Sequence, residues 1–179
     1  MYTAPQVNRT IIQTAFMVND LETAARKYIE TLGVGPFYIT ERPKIAGSLY
    51  RGAPSEVQFS TAITQAGDVQ LELVEQHCDS SSCYRDTVPV GQEALHHIAV
   101  FAEDYDAEMK RYKDLGIEVA SSGRMGPMRF SYMDTSEQIM AMTEVLESTH
   151  FIHTYFENLK TACLDWDGSR PIRSSSELF

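Results

Sequence analysis

Four polar side chains fall within runs that otherwise read as short apolar strands: Gln13, Glu72, His97 and Glu144. One imidazole, two carboxylates and one amide oxygen form an oxygen-rich donor set. It suits a single divalent ion such as Zn, Mn, Co, Ni or Fe(II), and less obviously Mg. Four protein donors leave two positions of an octahedron for water or a substrate, and an open position separates a catalytic metal from a structural one. Taken singly, each residue has a plainer explanation. A strand Gln usually faces solvent, and a lone His is usually a satisfied structural group. A Glu inside an apolar strand is costly unless paired.

What binds the four together is an internal repeat. The stretch IQTAFMVNDLETAARKYIETLG opens at Ile12, and HIAVFAEDYDAEMKRYKDLG opens at His97. Gln13 and His97 stand 84 positions apart (97 against 13). Asp20 and Asp104 keep that offset, as do Tyr28 and Tyr112, each preceded by two basic residues. Leu32-Gly33 and Leu115-Gly116 follow with a slip of one. Later, Leu71-Glu72-Leu73-Val74-Glu75 matches Thr143-Glu144-Val145-Leu146-Glu147, each with Glu at both ends of a Glu-x-x-Glu run.

The elements that must position these residues follow from the same pattern. Each unit opens on an alternating strand, with Gln13, Ala15 and Met17 on one face. An Asp then stands where a helix N-cap is expected, and Leu-Gly marks the helix end. Three more strands are expected in each half. In the first they are 36–40, 58–65 and 68–75; in the second, 118–122, 128–134 and 138–147. Hairpin turns are expected at Ala66-Gly67-Asp68 and Thr135-Ser136-Glu137. The reading is an α+β fold of tandem βαβββ modules forming a curved-sheet metal cleft, plus a C-terminal helix. Its boundaries are a first module at 8–76, a linker at 77–93, a second module at 94–147, and a helix and polar tail at 148–179.

Alternation selects among the neighbours. Glu75 and Glu147 face away from Glu72 and Glu144, and His96 points with Ile98 and Val100, away from His97. Glu144 shares its face with Met140 and Met142. His77, His150 and His153 lie in the linker or tail with no third ligand nearby. Candidate substrate contacts are Phe59, Met125, Phe130, Tyr132, Arg51 and Arg129, although aromatic and Met residues on strands are more often plain core. Tyr84 and Arg85 are candidates for the cleft rim or for a solvated loop.

Bulk properties exclude some classes. Fifteen Lys and Arg against 25 Asp and Glu give a formal net charge of −10. That disfavours nucleic acid, which needs a basic face, and anionic membrane. Basic spots at Arg51 and at Arg124 with Arg129 remain where an acidic small molecule could sit. Three cysteines, Cys78, Cys83 and Cys163, argue for reduced thiols rather than a disulfide framework. No apolar run reaches the ~20 residues of a membrane span. The first nine residues carry no export pattern, so the cytoplasm is the expected location.

The stretches QTAFMVNDLETAARKYIETLGVGPF, VQLELVEQ and LHHIAVFAEDYDAEMKRYKDLGIEVA resemble the vicinal oxygen chelate superfamily over roughly residues 8–147. This superfamily includes glyoxalase I, methylmalonyl-CoA epimerase, extradiol dioxygenases and bleomycin-resistance proteins. The resemblance implies metal ligands on the first and last strands of each module, at Gln13, Glu72, His97 and Glu144. The Gln/Glu/His/Glu set is similar to some glyoxalase I enzymes, whereas the His-His-Ile-Ala run resembles the epimerases. It implies an isomerase, epimerase or lyase acting on a small carbonyl compound through a metal-stabilised enolate or enediolate, with Glu144 as base and Glu72 next. A resistance-type binding protein and an Fe(II)-dependent dioxygenase are the alternatives, the latter disfavoured by Gln13 in place of a first His. A homodimer is implied as well.

Overall fold

Each half of the chain opens on a strand that leads into a helix started by an aspartate. β1 (Gln13–Met17) precedes α1 (Leu21–Leu32), and β7 (Ala94–Ala102) precedes α3 (Tyr105–Asp114). Asp20 accepts from the Thr23 N–H at 2.7 Å and Asp104 from the Ala107 N–H at 2.9 Å. Each carboxylate satisfies one of the free donors of a first helical turn. Gly33 (φ +69°) ends α1 in the left-handed region that favours glycine. The computed structural model describes residues 9–179. Residue 8, where the first module was expected to begin, and most of the segment read for an export signal lie outside the described residues.

After α1 come β2 (Phe37–Thr40), β5 (Phe59–Ala66) and β6 (Val69–Gln76); after α3 come β8 (Val119–Met125), β9 (Met128–Met133) and β10 (Met142–Glu147). β1 pairs in parallel with β6 and β7 in parallel with β10. β1 and β7 then pair antiparallel at the centre, which relates the two modules by a pseudo-two-fold axis. Together with β3 (Ala46–Tyr50), β4 (Ala53–Pro54) and β11 (Ile172–Ser174), the described strands join one curved sheet in the order β11-β2-β5-β6-β1-β7-β10-β9-β8-β3-β4.

Three differences from the expected elements have physical causes. A hairpin of β3 (Ala46–Tyr50) and β4 (Ala53–Pro54) leaves the first module and pairs with β8 of the second. Its turn residues Arg51 (φ +48°) and Gly52 (φ +81°) both have positive φ, the geometry that matches strand twist in two-residue hairpins. Thr135-Ser136-Glu137 is not a hairpin turn. It leads into a one-turn helix, α4 (Ser136–Ile139), which leaves Met140 left-handed and 89% exposed instead of facing inward with Met142. The tail forms the expected helix, α5 (His150–Cys163), but then adds β11 (Ile172–Ser174), which covers the edge of β2, and a 3-10 turn at Ser175–Leu178.

The sheet is packed on both faces. On one, α1 sets Leu21, Ala24 and Ala25 against Leu71 and Leu73, and α3 sets Tyr105 and Tyr112 against Val100 and Val145. On the other, α5 closes the main core with Ile152, Tyr155 and Leu159. No helix among the described residues is long and apolar enough to cross a membrane.

Leu159 is fully buried although it lies beyond both modules. Its truncation to Ala is expected to lower unfolding free energy by about 2–5 kcal/mol in a denaturant titration. A loss within ~0.5 kcal/mol, the range typical of surface positions, would show α5 to be an appendage.

Candidate metal centre

Two rows of residues cross the four central strands. In one, Ala15 of β1 stands between Glu72 of β6 and His97 of β7. In the other, Ala99 of β7 stands between Gln13 of β1 and Glu144 of β10. The pseudo-two-fold axis exchanges the rows: Gln13 with His97, Ala99 with Ala15, Glu144 with Glu72. Both alanines are fully buried, and their lone Cβ atoms leave room between the flanking polar groups.

Glu72, His97 and Glu144 each offer a donor atom, and these atoms lie within 4.8 Å of one another. His97 Nε2 is 3.3 Å from Glu72 Oε2 and 3.4 Å from Glu144 Oε2. The nitrogen is buried, yet neither carboxylate is aligned to hydrogen-bond with it. Donors aimed at a shared point rather than at one another fit a cation, whose cis ligands at ~2.1 Å from it are ~3 Å apart. Gln13 is buried, and its Nε2 donates to Gln70 Oε1 at 3.2 Å, which leaves its own Oε1 free. Glu72, His97 and Glu144 therefore fit a divalent ion, and Gln13 stands in the same row as Glu144, across Ala99.

His96 does not point away from His97 as strict alternation requires. Ala15 lies opposite His97 and Phe16 opposite Leu95, so His96 is the extra residue of a β-bulge. The bulge turns its ring to the side of His97, against Tyr84 and Tyr132. His96 Nε2–H donates to the Cys83 carbonyl at 3.0 Å, which makes its Nδ1 an acceptor. His97 Nδ1–H then donates to that atom at 2.8 Å, so a bound cation would take the place of the proton on His97 Nε2 and use its lone pair. Burial, and then the charge of His97, pull the His96 imidazole down to about 3, so it stays neutral. Desolvation also opposes charge on His97, but Glu144 and Glu72 outweigh it and push that imidazole up to about 9. Burial raises the Glu72 carboxyl, partly offset by His97.

Gln13, Glu72 and Glu144 form the polar end of a cavity of about 270 Å³. Phe59, Met125, Phe130 and Tyr132 line it, and Arg51 and Arg129 do not. Arg51 is held outside by Asp86 at 2.8 Å, Asp134 and Glu118, and Arg129 by Glu147 at 2.7 Å and Asp106 at 2.8 Å. Acidic neighbours occupy both guanidinium groups, which leaves neither as a free basic spot. Glu75 accepts from the Leu21 N–H at the start of α1, on the face opposite Glu72. Tyr84 is neither rim nor solvated loop. It sits in α2 (Cys83–Thr87), 3% exposed, within the aromatic cluster behind His96. The sequence reading missed the wall supplied by α5, through Phe151, Tyr155 and Phe156. The i, i+4 spacings of Phe151 with Tyr155 and of Ile152 with Phe156 are its trace in the sequence.

The sequence model of the Glyoxalase/Bleomycin resistance protein/Dioxygenase superfamily matches residues 12–132. Among curated proteins, none matches this chain significantly. Solved structures share the fold at low identity. A Streptomyces coelicolor methylmalonyl-CoA epimerase variant in complex with 2-nitronate-propionyl-CoA is 21% identical with a TM-score of 0.55, over 78% of this chain and 94% of that one. The methylmalonyl-CoA epimerase of Mycobacterium tuberculosis is 14% identical with a TM-score of 0.53, over 80% and 90%. A hypothetical protein from Bacillus halodurans C-125 is 14% identical with a TM-score of 0.57, over 80% and 97%.

Two substitutions probe the centre. His97→Ala is expected to abolish stoichiometric metal binding by elemental analysis, and full retention would remove His97 from the ligand set. His96→Phe keeps a buried ring but cannot accept from His97, and is expected to weaken metal affinity by ~10–100-fold in a chelator competition. Unchanged affinity would dismiss the hydrogen-bonded pair as incidental.

Proposed function

The chain belongs to the Glyoxalase/Bleomycin resistance protein/Dioxygenase superfamily, and on that premise we propose that it is a divalent-metal-dependent isomerase, epimerase or lyase of a small carbonyl compound. The observation that carries this reading is the convergence of Glu72, His97 Nε2 and Glu144, with both carboxylates lining one cavity. A divalent ion bound there supplies Lewis acidity to two adjacent substrate oxygens.

The protein's own contribution is positioning and proton transfer. Glu144 is the base that takes the proton from the carbon beside the carbonyl and returns it to a neighbouring atom or to the opposite face, with Glu72 second. Both carboxylates reach the cavity while remaining over nine-tenths buried, so little water competes for the proton. Gln13 contributes a neutral amide, which keeps protein charge at the centre to two carboxylates. His97 is held in one tautomer by His96 and can donate no proton through Nε2 once that atom is a ligand.

The apolar walls also suit a resistance-type protein that sequesters its ligand. Proton exchange separates the two readings. Incubated in D2O with candidate 2-oxo and 2-hydroxycarbonyl compounds, the metal-loaded protein is expected to exchange the α-hydrogen. Glu144→Gln is expected to slow exchange by ~10²–10⁴-fold with metal retained. A fully active Glu144→Gln protein would end the base assignment, and metal-loaded protein that binds without exchange would be a binder.

A further inference from the structure

We propose that this site takes a compact, uncharged aromatic or alicyclic carbonyl compound, with its paired oxygens at the Glu72–His97–Glu144 end and its hydrocarbon body against α5. The proposal rests on the metal-dependent reading above and names the substrate class it leaves open. The cavity has two unlike ends. Away from the polar end its walls are Phe59, Met125, Phe130, Phe151 and Phe156, and no Lys, Arg or His among the described residues lines it. The other polar groups on the walls include the neutral hydroxyls of Thr40, Thr61 and Ser175. A phosphate or carboxylate carried into that section would shed its hydration with no counter-charge to meet it. A ring would meet other rings.

Charges nearby in sequence do not change this. Arg129, beside Phe130, is paired with Glu147 and Asp106 on the outside. Arg124, beside Met125, donates to the Pro127 carbonyl. Arg42 and Lys44, which flank Pro43 of the wall, are exposed. Part of the apolar wall lies outside both modules. Phe151, Tyr155 and Phe156 belong to α5, which follows the last strand of the second module. Phe179 stacks on Phe151 and Tyr155 at interplanar angles of 14° and 20° and closes the same side. The cavity volume of about 270 Å³ sits at the small end of ligand cavities.

Calorimetric titration of the Mn-loaded full chain with 2-hydroxyacetophenone, hydroxyacetone and propionyl-CoA tests the proposal. The aryl ketone is expected to bind at least about tenfold tighter than hydroxyacetone, with a negative heat-capacity change. Propionyl-CoA is expected to bind no better than hydroxyacetone. In Phe151→Ala, at a half-buried position, the aryl preference is expected to shrink severalfold with metal content and circular dichroism unchanged. Tighter binding of propionyl-CoA, or equal binding of the two hydroxyketones, overturns the proposal. Deuterium exchange at the α carbon keeps the two readings apart. Tight aryl-ketone binding without exchange supports the substrate class and defeats proton transfer. Exchange confined to the thioester defeats the substrate class and leaves proton transfer standing.

Discussion

Because β1 and β7 pair antiparallel with Ala15 opposite His97 and Ala99 opposite Gln13, each repeat delivers its ligands to the same point from opposite directions. Parallel pairing with β6 and β10 then brings in Glu72 and Glu144 one strand further out. A slip of one residue at this seam would send the ligands to the helix-covered face and leave apolar side chains in the cavity. The seam is guarded by burial on both sides. Leu71 and Leu73 must face α1, and Val100 and Val145 must face α3, so the outer cores set the register that the polar centre needs. Stability thus comes from the outer layers and α5, while the centre is held in place at a desolvation cost that a cation would offset.

The bulge at His96 falls outside that logic and adds to it. It follows the paired position Ala15–His97, so the ligand rows keep their register while one extra ring is turned inward. That ring links the centre to the segment between the modules, because its outer nitrogen is satisfied by the Cys83 carbonyl of α2. Tyr84, packed on His96 and Tyr132, fixes the plane of the same ring. A stretch that could have been a solvated connection therefore supports the orientation of a candidate ligand on the next element, β7.

The repeat made the modules, both helix caps and the curved-sheet class legible, since Asp20 and Asp104, Leu-Gly and the Glu-x-x-Glu runs are local signals of fixed spacing. Other features were illegible for nonlocal reasons. The β3–β4 hairpin carries the Arg51-Gly52 turn in its sequence, but its partner β8 lies about 70 residues on, and nothing local names it. The bulge hid His96, because alternation assumes two residues per pleat throughout. Arg51 and Arg129 looked like free basic spots, and only the folded chain brings Asp86, Asp134, Asp106 and Glu147 to them. β11 was read as polar tail because three residues against an edge strand carry too short a pattern to register.

Chemistry and selectivity consequently reside in different parts of the chain. The four central strands belong to the duplicated unit and carry every candidate ligand, so changing them alters the charge and donor set of the centre. The walls come partly from the outer strands of the modules, through Phe59, Met125 and Phe130, and partly from outside them: Ile45 ahead of the β3–β4 hairpin, α5, and the segment ending at Phe179. A divalent ion with two carboxylates, one neutral imidazole and one neutral amide is a centre of zero net charge, which an apolar cavity tolerates. Charge that develops on a bound substrate is then confined to the oxygens nearest that centre. The low-polarity walls would strengthen the attraction of such charge to an ion bound there, because the local dielectric is below that of water. An apolar enclosure is thus compatible with proton abstraction, provided the substrate brings no other charge inside.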